Sequence, residues 1–437
     1  MPAQLDTFRQ ALPKNGLFAG MNWRFSPEPF PLSRKLHKKL EGLGQRLLLF
    51  QRGCDEIYRR SHKGTLPGWI KDYLDAGKPE ALLSAARSRP VQSDLPRVIR
   101  PDLLLLPDGK MALTEIDSVP GGIGLTAWLS RTYHAVDTEW NIVGGADGMF
   151  NGFASLFPDG GDILMSRESS DYRPEMEWLS EQLNARTVSD AFRVADVESY
   201  APIERAAYRF FELFDLPNIP TAQKLLDAVG NGTLNITAPM KPWLEEKMWL
   251  ALFWSAPLRD VWERTLRASH RAALEEIIPY GWIVDPSPIP HHAVLPRLNA
   301  HSWDEVAAYS QAQRQLVLKR SGFSEDAWGS RSVSVGHDLA QQEWAAAIQS
   351  AIRAFPDHPY VVQEFRNAEV IKHPVFNDDT GVIETVEGKV RLCPYYFVAA
   401  DGKTVKLSGV LATITPADKK VIHGMRDAII APCQVVE

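Results

Sequence analysis

Glu115 and Asp117 stand two residues apart at the end of LTEID, directly before Pro120-Gly121-Gly122-Ile123-Gly124. Leu113, Thr114 and Ile116 favour an extended chain, in which side chains two apart point to one face. Two carboxylates so placed repel each other unless a cation or a basic partner lies between them. The segment upstream, RPDLLLLPDGKMALTEID, carries Arg100 and Asp102, also two apart. A two-residue turn at Asp108-Gly109 sets Asp102 opposite Glu115 and Arg100 opposite Asp117. Directly opposed side chains lie about 4.5–5.5 Å apart at Cβ, which gathers three carboxylates and one guanidinium. Carboxylate oxygens suit Mg²⁺, which keeps other positions for water and phosphate. Pro107-Asp108-Gly109 also suits a three-residue loop, which slips the pairing by one and sends Asp102 and Glu115 to opposite faces. From spacing alone, the acids either hold a divalent cation or finish an exposed strand end.

Four further sets have types that could do chemistry. In QLVLKRSGFSEDAWGSRSVSVG an apolar strand ends at Lys319, and a loop with Ser321, Gly322 and Gly329 leads to a second strand. An ammonium and backbone N–H groups in such a loop can surround phosphate oxygens, although no Gly-Lys-Ser/Thr follows as in a Walker A loop. The alternative is a hairpin loop with a surface lysine. Gln363 and Glu364 end the strand YVVQEF, where they either contact a nucleotide's base and ribose or simply reach solvent. Arg391 sits inside the apolar strand KVRLCPYYFV and needs an internal carboxylate or a bound anion. Lys247, among Met248, Trp249 and Leu250, either snorkels to water or enters a phosphate site.

Periodicity defines the elements that must position these side chains. SRKLHKKLEGLGQRLLLFQRGCDEIYRR is a long amphipathic helix, and more helix follows at 68–87. RVIRPDLLLLPDGKMALTEID is a hairpin. Next, strand DILMS, helix RPEMEWLSEQLN, strand FRVADVE and helix IERAAYRFFELF alternate as a small α/β layer. Residues 242–276 read as helix, with an apolar stripe through Trp243, Met248, Leu252 and Trp262. From about 280 short strands dominate, namely WIVD, QLVLK, YVVQEF, KVRLCPYYFV and VKLSGVLATIT, with helical patches at 303–312 and 340–354.

A formal net charge of −6 over 437 residues argues against nucleic acid or an anionic membrane as the main partner. No apolar run is long enough for a transmembrane helix. The start lacks the apolar stretch of a signal peptide, and Cys54, Cys393 and Cys433 form neither a disulfide framework nor a zinc pattern. These features lead to the expectation of a cytoplasmic protein.

Taken together, RPD…TEIDSVPGGIG, EEKMWLALF, VLKRSGFSEDAWGSRSV, VVQEF and KVRLCPYYF resemble ATP-grasp ligases in the circularly permuted order, in particular the synthetase portions of glutathionylspermidine synthases. The acid motif, elsewhere last, here precedes the lysine, glycine-loop and hinge motifs. The similarity spans roughly residues 95–430. It implies an α+β ATP-grasp fold with a mainly helical N-terminal region (1–95), a metal-binding hairpin (96–130), an α/β pre-ATP-grasp-like domain (131–240) and nucleotide-binding lobes (241–437). It further implies ATP and Mg²⁺ as cofactors, with Asp102, Glu115 and Asp117 binding magnesium. Arg100 would contact the transferred phosphate or the reacting carboxylate. Lys247 and Lys319 would hold the α- and β-phosphates beneath a lid from Ser321 to Ser332 that includes Gly322, Trp328 and Gly329. Gln363 and Glu364 would line the adenine hinge, and Arg391 would lie near the phosphates. Asp117 stands where the family usually has asparagine.

The implied reaction joins a carboxylate, which can belong to a peptide, to an amine through an acyl phosphate. Two other readings share these motifs: a nucleotide-binding protein without catalysis, and a kinase phosphorylating a hydroxyl. The sequence identifies neither substrate, the oligomeric state, nor a role for residues 1–95.

Overall fold

The computed structural model describes residues 2–11, 23–186, 190–202, 205–327, 331–377, 380, 382–419, 422 and 427–437. They form a mixed α+β chain with three sheets. The chain divides into two units: Met1–Leu48, Ser84–Met240 and Ala368–Glu437 make one, and Leu49–Leu83 with Lys241–Asn367 the other. The expected long helix is present as Arg34–His62; its residues up to Leu48 belong to the first unit and the rest to the second.

The first unit is built on an eight-stranded sheet. Its order is Arg24–Phe25, Ile429–Val436, Val405–Pro416, Ile383–Val398, Val98–Leu106 and Lys110–Asp117, with Phe30–Ser33 and Val370–Phe376 attached at the sides. The helix Ile123–Val136 buries Ile123, Leu125, Trp128 and Leu129 in a core shared with Tyr395, Phe397 and Leu411 of the sheet. By alternation Arg391 and Cys393 point to the same side of their strand as Tyr395 and Phe397.

The acidic hairpin turns differently from the two-residue expectation. Pro107–Gly109 is a three-residue loop with Asp108 at φ 64° and Gly109 at φ 63°, the left-handed region that aspartate and glycine tolerate. Leu106 pairs with Lys110 and Leu103 with Leu113, the slipped register. A β-bulge then absorbs Thr114, so that Asp102 faces Glu115 and Arg100 faces Asp117 after all. The Thr114 hydroxyl donates to the Asp102 carbonyl at 3.1 Å and ties the extra residue down.

The α/β layer is a four-stranded parallel sheet in the order Phe192–Asp196, Gly161–Met165, Ala207–Phe210, Ile236–Thr237. The helix expected at IERAAYRFFELF is here the strand Ala207–Phe210 followed by a 3₁₀ turn, Leu213–Asn218; residues 203 and 204 lie outside the described residues. All four residues of this strand are buried, so the run lacks the alternation that marks a half-exposed strand. Even Arg209 is buried, donating to the carbonyls of Phe211 at 2.5 Å and Ala238 at 3.2 Å.

Two other helical expectations are broken up. Residues 68–87 form Gly68–Asp75 and Glu80–Arg87, separated where Gly77 takes φ 69° ahead of Pro79. Residues 242–276 form the short pieces Pro242–Glu245, Met248–Leu252, Ala256–Leu258, Arg259–Thr265 and Ala268–Ile277. One break falls at Ser255, which is extended ahead of the turn Ala256–Leu258; Pro257 lacks the N–H that would continue the preceding helix.

The second unit holds an antiparallel sheet in the order Ser334–Val335, Leu316–Arg320, Tyr360–Glu364, Gly281–Ile283. Leu316, Leu318, Val362 and Trp282 pack against Val306 and Trp344 from the helices Trp303–Ala307 and Gln341–Ala354. By alternation, Val317, Lys319, Val361 and Gln363 share the face turned away from those helices.

The bulge supplies a test. Deleting Thr114 straightens the strand yet keeps Glu115 opposite Asp102, so it should cost only about 1–2 kcal/mol in urea unfolding. Deleting Ile116 carries Asp117 to the other face and strips Arg100 of a partner, at about 3 kcal/mol or more. Equal costs for the two deletions would refute the bulged register.

Candidate functional site

In the first unit the hairpin and its neighbouring strand build a compact charged centre. Arg100 lies between two carboxylates, with Nε 3.0 Å from Asp102 Oδ1 and Nη2 3.0 Å from Asp117 Oδ2. Arg391, on the adjacent strand Ile383–Val398, donates from Nη1 to Asp102 Oδ2 at 3.0 Å. The internal carboxylate that Arg391 needs is thus Asp102, buried at 5% exposure. Cys393, two residues along the same strand, lies 3.5 Å from Asp102 through its Sγ. The Nε–H of Arg391 is buried without a hydrogen-bond acceptor, which leaves a donor for a further anion.

The electrostatics of this centre are unevenly balanced. Burial alone would discharge Arg100, but Asp102 and then Asp117 outweigh it and raise its pKa well above the usual arginine value. The Asp117 carboxyl nevertheless also shifts upward, through burial first and then repulsion from Glu115, against the pull of Arg100. Both directions hold together because Arg100 is shared between two acids and neutralises neither fully. An added cation beside Glu115 and Asp117 would relieve the excess negative charge.

The loop that follows, from Ser118 to Gly122, is clamped from several sides. Val119 N–H donates to Asp117 Oδ1 at 2.8 Å, while Gly121 O accepts from Arg100 Nη1 at 3.3 Å and from the Tyr395 hydroxyl at 2.8 Å. Gly121 admits no side chain, since a Cβ there would fall 2.3 Å from the Tyr172 ring. Gly122, at φ 83°, opens the helix Ile123–Val136 without a side-chain cap of its own. Glu175 takes that place, accepting from Gly122 N–H at 2.7 Å, an anion where unpaired N–H groups and the helix dipole favour one. Burial pushes its carboxyl from 4.5 up to about 7, opposed by the N–H groups of Gly122, Leu125, Gly124 and Ile123.

In the second unit, Lys319 Nζ donates to Gln363 Oε1 at 3.0 Å, both side chains being buried. Gln363 Nε2 has no acceptor, an orphaned buried donor on the sheet face turned away from Val306 and Trp344. Lys247 donates from Nζ to Ala327 O at 3.0 Å, and its N–H donates to Ser321 O at 2.9 Å. The Ser321 hydroxyl donates to Glu246 and accepts from Met248 N–H at 2.9 Å. A Cβ on Gly322 would sit 2.8 Å from the Glu246 carboxyl carbon. Both Glu364 oxygens are engaged, one by Arg297 at 3.1 Å and the other by Arg366 at 2.6 Å.

The structure thus brings Arg100, Asp102, Asp117 and Arg391 into one cluster with Glu115 on the same hairpin face, and it pairs Lys319 with Gln363 and Lys247 with the Ser321 loop. Gly329 and Trp328 of the expected lid lie outside the described residues. Sequence reasoning missed Cys393 and Tyr395, although the alternation Arg391-x-Cys393-x-Tyr395 places them on the face of Arg391. Nothing in the sequence ties Glu175 to Gly122 or points to Glu246.

Among the described residues, no group of three or more His, Cys, Asp or Glu side chains is placed to hold a metal ion. Mg²⁺ can be held by as few as two carboxylates when phosphate oxygens complete its shell; Glu115 and Asp117 lie two apart on one strand. Nor, among the described residues, is any helix long and apolar enough to cross a membrane.

No family model matches the chain, and no curated protein matches it in sequence. Among solved structures, a glutathione synthetase-like effector from Globodera pallida in its apo form aligns with 99% of this chain and 96% of its own, at TM-score 0.56 and 14% identity. The chain shares that fold. A provisional gamma-glutamylcysteine synthetase from Methylobacillus flagellatus aligns with 92% of this chain and 88% of its own at TM-score 0.40 and 10% identity, too distant to argue from.

Glu175 gives this site a measurable pH signature. A carboxyl whose native pKa exceeds its unfolded value binds its proton better when folded, so stability falls as pH rises between 4.5 and about 7. Glu175→Gln should remove a contribution on the order of 3 kcal/mol over that interval. Urea unfolding of both proteins across that range checks it; parallel pH profiles would show that Glu175 does not titrate there.

Proposed function

We propose that this protein is an ATP-dependent carboxylate–amine ligase of the ATP-grasp type in permuted order, similar to the synthetase of glutathionylspermidine synthases. One observation carries the reading: Asp102 clasped by Arg100 and Arg391, on the hairpin face that also bears Glu115 and Asp117. The shared fold with a glutathione synthetase-like effector and the buried Lys319–Gln363 pair support it.

In the proposed reaction a substrate carboxylate attacks the γ-phosphate of ATP, giving an acyl phosphate and ADP. An amine then attacks the acyl carbon, the carbon–oxygen bond to phosphate breaks, and the amide forms with loss of the amine's proton. Lys247 and Lys319 neutralise oxygens of the polyphosphate, and Gln363 offers its vacant donor to the base. Arg391 directs its unpaired Nε–H, and Arg100 its positive charge, at the transferred phosphoryl group, the charge that positioning and electrostatics must stabilise. Glu115 and Asp117 would hold Mg²⁺, which when bound screens the phosphate charge. Asp102 keeps the two guanidiniums oriented. Arg100 also serves the tetrahedral oxyanion of the second step.

The test is a screen of carboxylate–amine pairs for ADP release, with mass spectrometry of the products. An amide is expected; ATP binding without ADP release would make the protein a nucleotide binder, and a stable phosphorylated alcohol would make it a kinase. Lys319→Ala should weaken ATP binding at least about tenfold, since a charge-assisted contact contributes about 1.5–3 kcal/mol. Glu115→Ala should abolish the Mg²⁺-dependent part of thermal stabilisation by ATP. Unchanged binding in the first, or an unchanged shift in the second, removes that residue from the site.

A further inference from the structure

A buried ion pair in the second unit involves a lysine outside the motifs. Lys78, in the loop between Gly68–Asp75 and Glu80–Arg87, reaches Glu246 Oε1 with its Nζ at 2.5 Å, and the two side chains are 1% and 3% exposed. The other oxygen of Glu246 accepts from Ser321 Oγ. Ser321 itself is fully buried, and its N–H is held by Pro359 O at 2.9 Å. Glu246 therefore joins three pieces of chain: the Lys78 loop, the turn leading into the helix Met248–Leu252, and the base of the loop that begins at Ser321. The fit leaves no room for adjustment, because a Cβ on Gly322 would strike the carboxyl group. Lys78 also lies 5.5 Å from the centre of the Phe323 ring, and Phe323 takes φ 40°.

A buried carboxylate at this place is costly unless compensated. It also sits one residue from Lys247 and beside Ser321-Gly322, the groups assigned above to polyphosphate. We propose that Lys78 is a positioning residue of the nucleotide site: it neutralises Glu246, so that the carboxylate can anchor the Ser321–Gly322 turn without repelling the phosphates. The inference rests on the nucleotide reading of Lys247 and Lys319. It gives residues 68–83, for which the sequence offers no role, a direct part in that site.

Titration calorimetry of the full chain with MgATP and with adenosine tests it. Lys78→Met leaves Glu246 negative and should weaken ATP binding about tenfold while changing adenosine binding less than about twofold, because only the polyphosphate feels the unmasked charge. Glu246→Gln leaves Lys78 positive, retains a side-chain oxygen for Ser321, and should tighten ATP binding several-fold with adenosine unchanged. A pair that serves packing alone would instead weaken both ligands in both variants, and that result overturns the proposal. Should Lys78→Met fail to fold, Glu246→Gln decides alone: tighter ATP binding supports the proposal, and unchanged or weaker binding refutes it. Wild-type protein that binds neither ligand removes the nucleotide reading, and the role of Lys78 with it; wild-type binding with variants that move in the same direction removes only the latter.

Discussion

A single buried carboxylate, Asp102, organises the charged centre of the first unit. Two guanidiniums meet it from two strands that are distant in sequence, at 3.0 Å in each case. Ion pairs this far from water stabilise little in net terms, because desolvation opposes their attraction, but removing one member leaves an uncompensated charge. The constraint is therefore one of geometry. It requires the strand Val98–Leu106 beside Ile383–Val398, fixes which face Arg391 presents, and holds Arg100 where it also grips Gly121 O. The glycine-rich loop, the start of the helix Ile123–Val136 and the cap from Glu175 follow from that grip.

The second unit solves a similar problem by division of labour. One face of its antiparallel sheet is closed by Trp344, Val306 and their neighbours, and the other carries Lys319 and Gln363. The lysine is buried, and the glutamine oxygen accepts from it at 3.0 Å. Elsewhere in the unit Glu246 is matched with the ammonium of Lys78.

Much of this was legible in the sequence because period-two alternation is a local signal. It located the hairpin, the strands bearing Lys319, Gln363 and Arg391, and the need of Arg391 for a carboxylate. The pairing of Asp102 with Glu115 was also foreseen, but for an incomplete reason: the loop has three residues, and the bulge at Thr114 undoes the slip. Bulges depend on what lies across the strand, so a single strand does not announce them. The strand Ala207–Phe210 was read as helix because burial on both faces erases alternation. Glu175, Lys78 and Glu246 were missed because their partners lie 53 and 168 residues away, beyond any local pattern.

The strand Ile429–Val436 pairs in parallel with both Arg24–Phe25 and Phe30–Ser33. A ribosome adding about 5–20 residues per second releases the first partners tens of seconds before the last. The large sheet thus cannot close before Ile429–Val436 has emerged, and Trp23, Phe25 and Phe30, all buried in the folded chain, wait for that strand. Lys241–Asn367, by contrast, emerges as one uninterrupted stretch and can organise its small sheet during translation. Connectivity thereby orders the two sheets: the small one can form first, and the large one waits for its last strand.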